Sequence, residues 1–147
     1  MFYASEELKR AEHLLYVSLK YTRTTDVIKS LIDRLISCFD HLIEGVLTKK
    51  EEEGVIADIP KSPFAKVDCL KELYIHNQKV QEYIEFYHLL RKISRSEGRS
   101  ENEFRRNVKR VVNVDGKMIE LNIDILGDYF NRTVDFLRYV KDHSYDD

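Results

Sequence analysis

Between Ile28 and Val46 the apolar side chains fall at Ile28, Leu31, Ile32, Leu35, Phe39, Leu42, Ile43 and Val46, an unbroken series of one-, three- and four-residue steps. A helix of 3.6 residues per turn gathers that spacing onto one side. A stripe of this length must be covered by other elements, so the chain has to pack further helices around it. The preceding segment supplies one. Leu8, Ala11, Leu15 and Leu19 repeat the same period, with Leu14 and Val17 widening the stripe. Ser5 is suited to cap this first helix, with Glu6 and Glu7 near its positive end. The polar run Tyr21 to Thr25 interrupts the pattern, and Thr25 or Asp26 is placed to start the long helix. Residues 5–48 are therefore expected to form a helical hairpin.

The charged run Lys49-Lys50-Glu51-Glu52-Glu53-Gly54 begins a solvated linker, residues 49–61. Ser62-Pro63 reads as an N-cap followed by a first helical position, where proline's missing donor does no harm. A third helical region spans 62–94, with a break expected near His76-Asn77; its apolar set includes Leu70, Leu73, Tyr74, Val80, Ile84, Tyr87 and Leu90. After a segment of loop composition the period changes. Val108 to Val114, then Asp115-Gly116, then Lys117 to Ile123 alternates as a two-residue β-hairpin does. Pairing Val114 with Lys117 sets Val112 opposite Ile119 and Arg110 opposite Leu121, which collects most apolar residues on one face. A lone hairpin is marginal in water, so this one must rest on the helices or pair with a partner chain. Asp124 is placed to cap a last helix over 124–142. The expectation is one domain, residues 1–147, of all-α class: a four-helix or near four-helix bundle with one β-hairpin (basic loop and hairpin, 95–123) inserted before the last helix.

The chain is long enough to stand alone, since 147 residues bury roughly 70% of their unfolded surface. A net charge of -2 excludes a bulk field drawing the whole molecule to nucleic acid or membrane, so local patches must carry any such case. Cys38 and Cys69 are too few for a disulfide framework and sit in apolar helical patterns, as small hydrophobes do. The N-terminus has no basic segment followed by an apolar stretch, and no run nears the roughly 18 apolar residues that cross a bilayer. A cytoplasmic protein without membrane association is expected. Absent Trp, scarce Met and dense charge match thermophile composition.

Ala11-Glu12-His13-Leu14-Leu15-Tyr16, a turn, then Asp33-Arg34-Leu35-Ile36-Ser37-Cys38-Phe39-Asp40-His41-Leu42-Ile43 resembles the helical hairpin of HEPN-type domains. Many HEPN proteins are metal-independent ribonucleases that use an arginine, four to six intervening residues, then a histidine. The resemblance implies a histidine that moves the 2′-hydroxyl proton while arginine holds the scissile phosphate. Arg34 to His41 and Arg138 to His143 satisfy the spacing. In both, the residue after the arginine departs from the family's usual polar one, being Leu35 or Tyr139. On one helix Arg34 and His41 stand about 10 Å apart along the axis, so convergence requires a second copy.

Glu85-x-x-His88 has the spacing of carboxylate-bridged metal sites, but a second such motif is missing, although Asp40, His41 and Glu44 could add ligands. No glycine-rich phosphate loop and no nucleophile elbow occur, so a hydrolase of those kinds is not expected, and neither a metal nor a cofactor is expected. The strongest lead is basic. Arg91, Lys92, Arg95, Arg99, Arg105, Arg106, Lys109 and Arg110 crowd some twenty residues, interrupted by Glu97, Glu101 and Glu103. Arg91 and Lys92 are accounted for by the helix dipole. Arg95, Arg99, Arg105, Arg106, Lys109 and Arg110 are the candidate phosphate contacts, with Phe104, Tyr83 and Tyr87 available to stack on bases. The expected function is RNA or other nucleic-acid binding by a homodimer; the alternatives are a non-catalytic protein-interaction module and the ribonuclease.

Overall fold

The computed structural model describes residues 1–143. Helix α1 (Phe2–His13) runs through one π-helical turn (Leu14–Ser18) into the short α2 (Leu19–Thr22). The long α3 (Thr25–Glu52) follows, about 42 Å at 1.5 Å per residue. Next come α4 (Pro63–Leu73), α5 (Gln78–Arg95), strands β1 (Gly98–Glu101), β2 (Lys109–Val114) and β3 (Lys117–Leu121), and α6 (Ile123–His143). The molecule is mostly helical with a three-stranded antiparallel sheet ordered β1-β2-β3, so the all-α expectation holds only coarsely.

α3 is the central post. Ile28, Leu31, Ile32, Leu35, Phe39, Leu42 and Ile43 are buried as the stripe requires, and Leu47 takes the deep position that Val46 was expected to hold. Around it pack α1, α4, α5 and α6. Phe39 stacks on Phe136 of α6 at 4.7 Å between ring centroids and meets Phe86 and Tyr87 of α5 at 5.7 Å each. Tyr87 donates to Asp40 of α3 at 2.5 Å and accepts from Arg91 Nε at 2.7 Å, while Arg91 Nη2 reaches both Asp40 oxygens at 3.1 and 3.2 Å. Arg91 is thus a bolt between α5 and α3.

The starts of the elements differ instructively from expectation. Ser62 Oγ accepts from Ala65 N at 3.1 Å with Pro63 beside it, as foreseen. The 62–94 region does break, and Asn77 caps α5 by accepting from Val80 N at 3.1 Å. Ser5, however, lies inside α1, which begins at Phe2 without a side-chain cap. α6 is capped by Asn122, whose Oδ1 accepts from Ile125 N at 2.9 Å, not by Asp124, which stands in the first turn.

The hairpin has the register derived above, from Val114 opposite Lys117 to Arg110 opposite Leu121. Asp115 and Gly116 turn it with φ of 52° and 83°, the left-handed pair that a two-residue hairpin demands. β1 is the unforeseen strand. Gly98 lets it close on β2, since a Cβ there would lie 2.7 Å from Val111 O and 2.8 Å from Val112 Cγ1. β2 packs on α3 and α5, and β3 on α6. Among the described residues, no helix is long and apolar enough to cross a membrane.

Candidate nucleic-acid interface

Residues 102–107 join β1 to β2 and dock on the turn between α2 and α3. Arg23 ends α2 in the left-handed region (φ 53°), and its carbonyl accepts from Phe104 N at 2.8 Å. Glu103 reaches the start of α3, accepting from Thr25 N at 3.0 Å and Thr25 Oγ1 at 2.9 Å. α3 is therefore capped by a carboxylate 78 residues away. Thr25 lies 4% exposed, and its hydroxyl also meets Ser100 Oγ at 2.6 Å. The bonds from the Thr25 backbone and hydroxyl hold the Glu103 carboxyl below the usual carboxylate range. A carboxylate at a helix N-terminus is the charge the helix dipole favours.

The loop is tightly conformed. Asn102 and Phe104 both take left-handed backbone, φ 59° and 67°, a conformation that costs an L-residue of order 1–2 kcal/mol. Arg105 N donating to Asn102 O and Val108 N to Arg105 O, each at 3.1 Å, close it, and Val108 is fully buried beneath. Phe104, 72% exposed, and Arg105 and Arg106, both exposed, are consequently held outward. Tyr21, in α2 two residues before Arg23, is 77% exposed, with Lys20 over its ring at 5.9 Å.

The six candidate phosphate contacts separate into three groups. Arg99 is paired with Glu101 at 2.8 Å, and Lys109 with Glu120 at 3.0 Å and Glu101 at 3.8 Å. The Glu120 hydrogen bond, above all, holds the Lys109 ammonium above its ordinary pKa. Arg110 is half-buried, its guanidinium lying over Gly98 in a shallow cleft shared with Lys29 and Asp33. Arg95, Arg105 and Arg106 are exposed, and no carboxylate among the described residues pairs with them; Arg95 Nε donates only to Arg91 O, at 3.3 Å. Lys92, which had been accounted for by the dipole, pairs with Asp115 at 2.7 Å.

Two aromatics expected to face bases do not. Tyr83 and Tyr87 are core residues, 8% and 2% exposed. Their helical positions suited core and surface alike.

The arginine–histidine spans are distributed over different surroundings. Arg34 donates to Glu7 Oε2 at 3.1 Å, a buried carboxylate that also takes Arg10 at 2.7 Å. His41 stacks on Tyr3 and, with His143, lines a cavity at the end of the bundle remote from the sheet; Arg34 and Arg138 do not line it. His143 engages Tyr139 O at 2.8 Å, and Arg138 is exposed. Around the Glu85-x-x-His88 motif, Asp40 is taken by Tyr87 and Arg91, and Glu44 by Lys66 at 2.6 Å. Among the described residues no group of three or more His, Cys, Asp or Glu is placed to hold a metal. Burial pushes the Cys38 thiol up to about 12, so it is inert packing.

No family model, curated protein or solved structure matches this chain.

Proposed function

We propose that this protein binds single-stranded nucleic acid, RNA in the first instance, with the 102–107 loop as its gripping element. The observation that carries the reading is the pinned loop. Glu103, inside the basic segment, is consumed by the α3 N-terminus, and this leaves Arg105 and Arg106 outward with no acidic neighbour in ion-pair reach among the described residues. Guanidinium forks match phosphate oxygens. Phe104 on the loop and Tyr21 in α2, two residues before the Arg23 carbonyl on which the loop docks, offer faces on which unpaired bases stack, worth about 1–3 kcal/mol per base. Arg95 extends the positive surface at the end of α5. The hairpin of α1, α2 and α3, on which the HEPN-like reading rests, serves as the platform. Cleavage is not part of the proposal, since Arg34 is engaged with Glu7 and the histidines sit at another end of the bundle.

Fluorescence anisotropy with a labelled, unstructured RNA oligomer tests this. The paired variant Arg105→Ala/Arg106→Ala is expected to lose at least about tenfold in affinity at low salt, and Phe104→Ala several-fold. Wild-type affinity in both variants removes the basis of the reading.

Self-association is the second reading, supported by the sheet edge. Among the described residues β3 pairs with β2 alone, and it bears Met118 at 54% exposure. Sedimentation equilibrium separates it from RNA binding, because a dimer through this edge is broken by Ile119→Lys while Arg105→Ala leaves it intact.

A further inference from the structure

A cavity of about 290 Å³ opens between α3, the α4–α5 turn and α6, just under the roughly 300–1,000 Å³ that small-molecule sites occupy. Its walls are apolar, with Leu42, Val46, Leu70, Val80, Phe136 and Val140 among them. Thr25 and Gly45 are separated by about 30 Å of α3, so this site is independent of the loop and of the function proposed above.

Gly45 leaves the mouth of the cavity open. It lies inside a 28-residue helix, where glycine costs about 1 kcal/mol relative to alanine. A Cβ at this position would have nothing within 4 Å. His41, Gly45 and Lys49 form one i, i+4 row along α3, so the missing side chain leaves a gap between an imidazole and an ammonium. On the opposite lip His143 stacks on Tyr139 at 4.1 Å and 20°, a flat aromatic wall. The polar lining residues include His41, His143, Lys49, Lys50 and Asn77, and the described lining residues include no Asp or Glu. Lys49 and Lys50 also engage Glu53, at 3.9 and 3.3 Å, below the lip. The His41 ring has no hydrogen-bond partner among the described residues.

From these features we infer that the cavity binds a small aromatic carboxylic acid. The ring enters over Gly45 and lies against Phe136 and the Tyr139–His143 wall, and the carboxylate meets the imidazoles at the lip. Hydrophobic walls supply affinity, and the His41 imidazole, with no hydrogen-bond partner among the described residues, is the donor that selects the anion.

Naphthoate, followed in the amide NMR spectrum of the full chain, is the probe. Saturable shifts at Gly45, Val46, Asn77 and Val140 with Kd below about 1 mM are expected. Naphthalenemethanol, which has the same ring system and no charge, should bind at least about fivefold more weakly. Gly45→Phe fills the mouth and should abolish binding without lowering the thermal midpoint; Val140→Phe, from the other wall, serves if that variant does not fold. Arg105→Ala/Arg106→Ala should bind naphthoate as the wild type does. Absence of saturation, shifts elsewhere, or unaltered binding in the filled variants overturns the site. Equal affinity for the alcohol overturns its assignment to a carboxylate.

Discussion

Replacing Arg91 by alanine should cost stability and leave nucleic-acid binding alone, whereas Arg105→Ala should do the reverse. Arg91 Nε donates to Tyr87 at 2.7 Å and Nη2 to Asp40 at 3.1 and 3.2 Å. Hydrogen bonds to charged groups contribute about 1.5–3 kcal/mol each when shielded. The two charged side chains here are 31% and 38% exposed, so water recovers much of that, and Tyr87 keeps its bond to Asp40. The net loss should be about 1.5–2 kcal/mol. For a chain of this size that lowers the melting temperature by about 5 °C. Arg105, exposed and with no partner among the described residues, should change stability by less than about 0.5 kcal/mol. Thermal unfolding by circular dichroism and anisotropy with an RNA oligomer read the two effects separately. An Arg91→Ala protein that melts within about 1 °C of wild type, or that loses RNA affinity as Arg105→Ala does, would refute the division of this basic segment into structural and gripping arginines.

Gly45→Ala should raise stability by about 0.8–1 kcal/mol, the helix-propensity difference, because its Cβ enters open space. Gly98→Ala should lower it by about 1–3 kcal/mol, because its Cβ must displace β1 from Val111 O; denaturant midpoints moving in the same direction would reject both placements. Thr25→Val removes the hydroxyl that meets Glu103 and Ser100, so hydrogen exchange at the Phe104 amide should quicken, while Thr25→Ser keeps it protected. The last of these concerns pH. Burial alone would raise the Glu7 carboxyl, but Arg34 and then Arg10 reverse it and leave its folded pKa below the ordinary 4.5. Its stabilisation is therefore complete above that value and is lost as pH falls through the folded pKa. The stability gap between wild type and Glu7→Gln should shrink on acidification below pH 4.5, and a gap that stays constant there contradicts the pairing.

The parts of this molecule that were legible beforehand are those in which local pattern and tertiary demand agree. The α3 stripe, the Ser62-Pro63 start and the hairpin register each follow from residues within one or two turns of each other. What escaped depends on distant partners. β1 has no apolar alternation, since Gly98, Arg99 and Ser100 are all exposed; only its pairing with β2 makes it a strand. That register sets Glu101 against Lys109, which adds to the closer Glu120 pairing that neutralises Lys109 despite its lying in a basic run. The same long-range closure let Glu103 cap α3, a role that no spacing within residues 94–104 announces. Of the candidate phosphate contacts, Arg105 and Arg106 were legible as a basic pair in a loop. The docking of their loop on the Arg23 carbonyl was not, because Arg23 belongs to the distant turn between α2 and α3.

The salt dependence of RNA affinity tests the central claim most directly. Each phosphate neutralised on a single strand contributes about 0.7 to the slope of log affinity against log salt concentration. If Arg105 and Arg106 each hold one, the wild-type slope should be steeper than that of Arg105→Ala/Arg106→Ala by about 1.4. Equal slopes, or a wild-type protein that does not bind RNA at the lowest salt, would contradict the account.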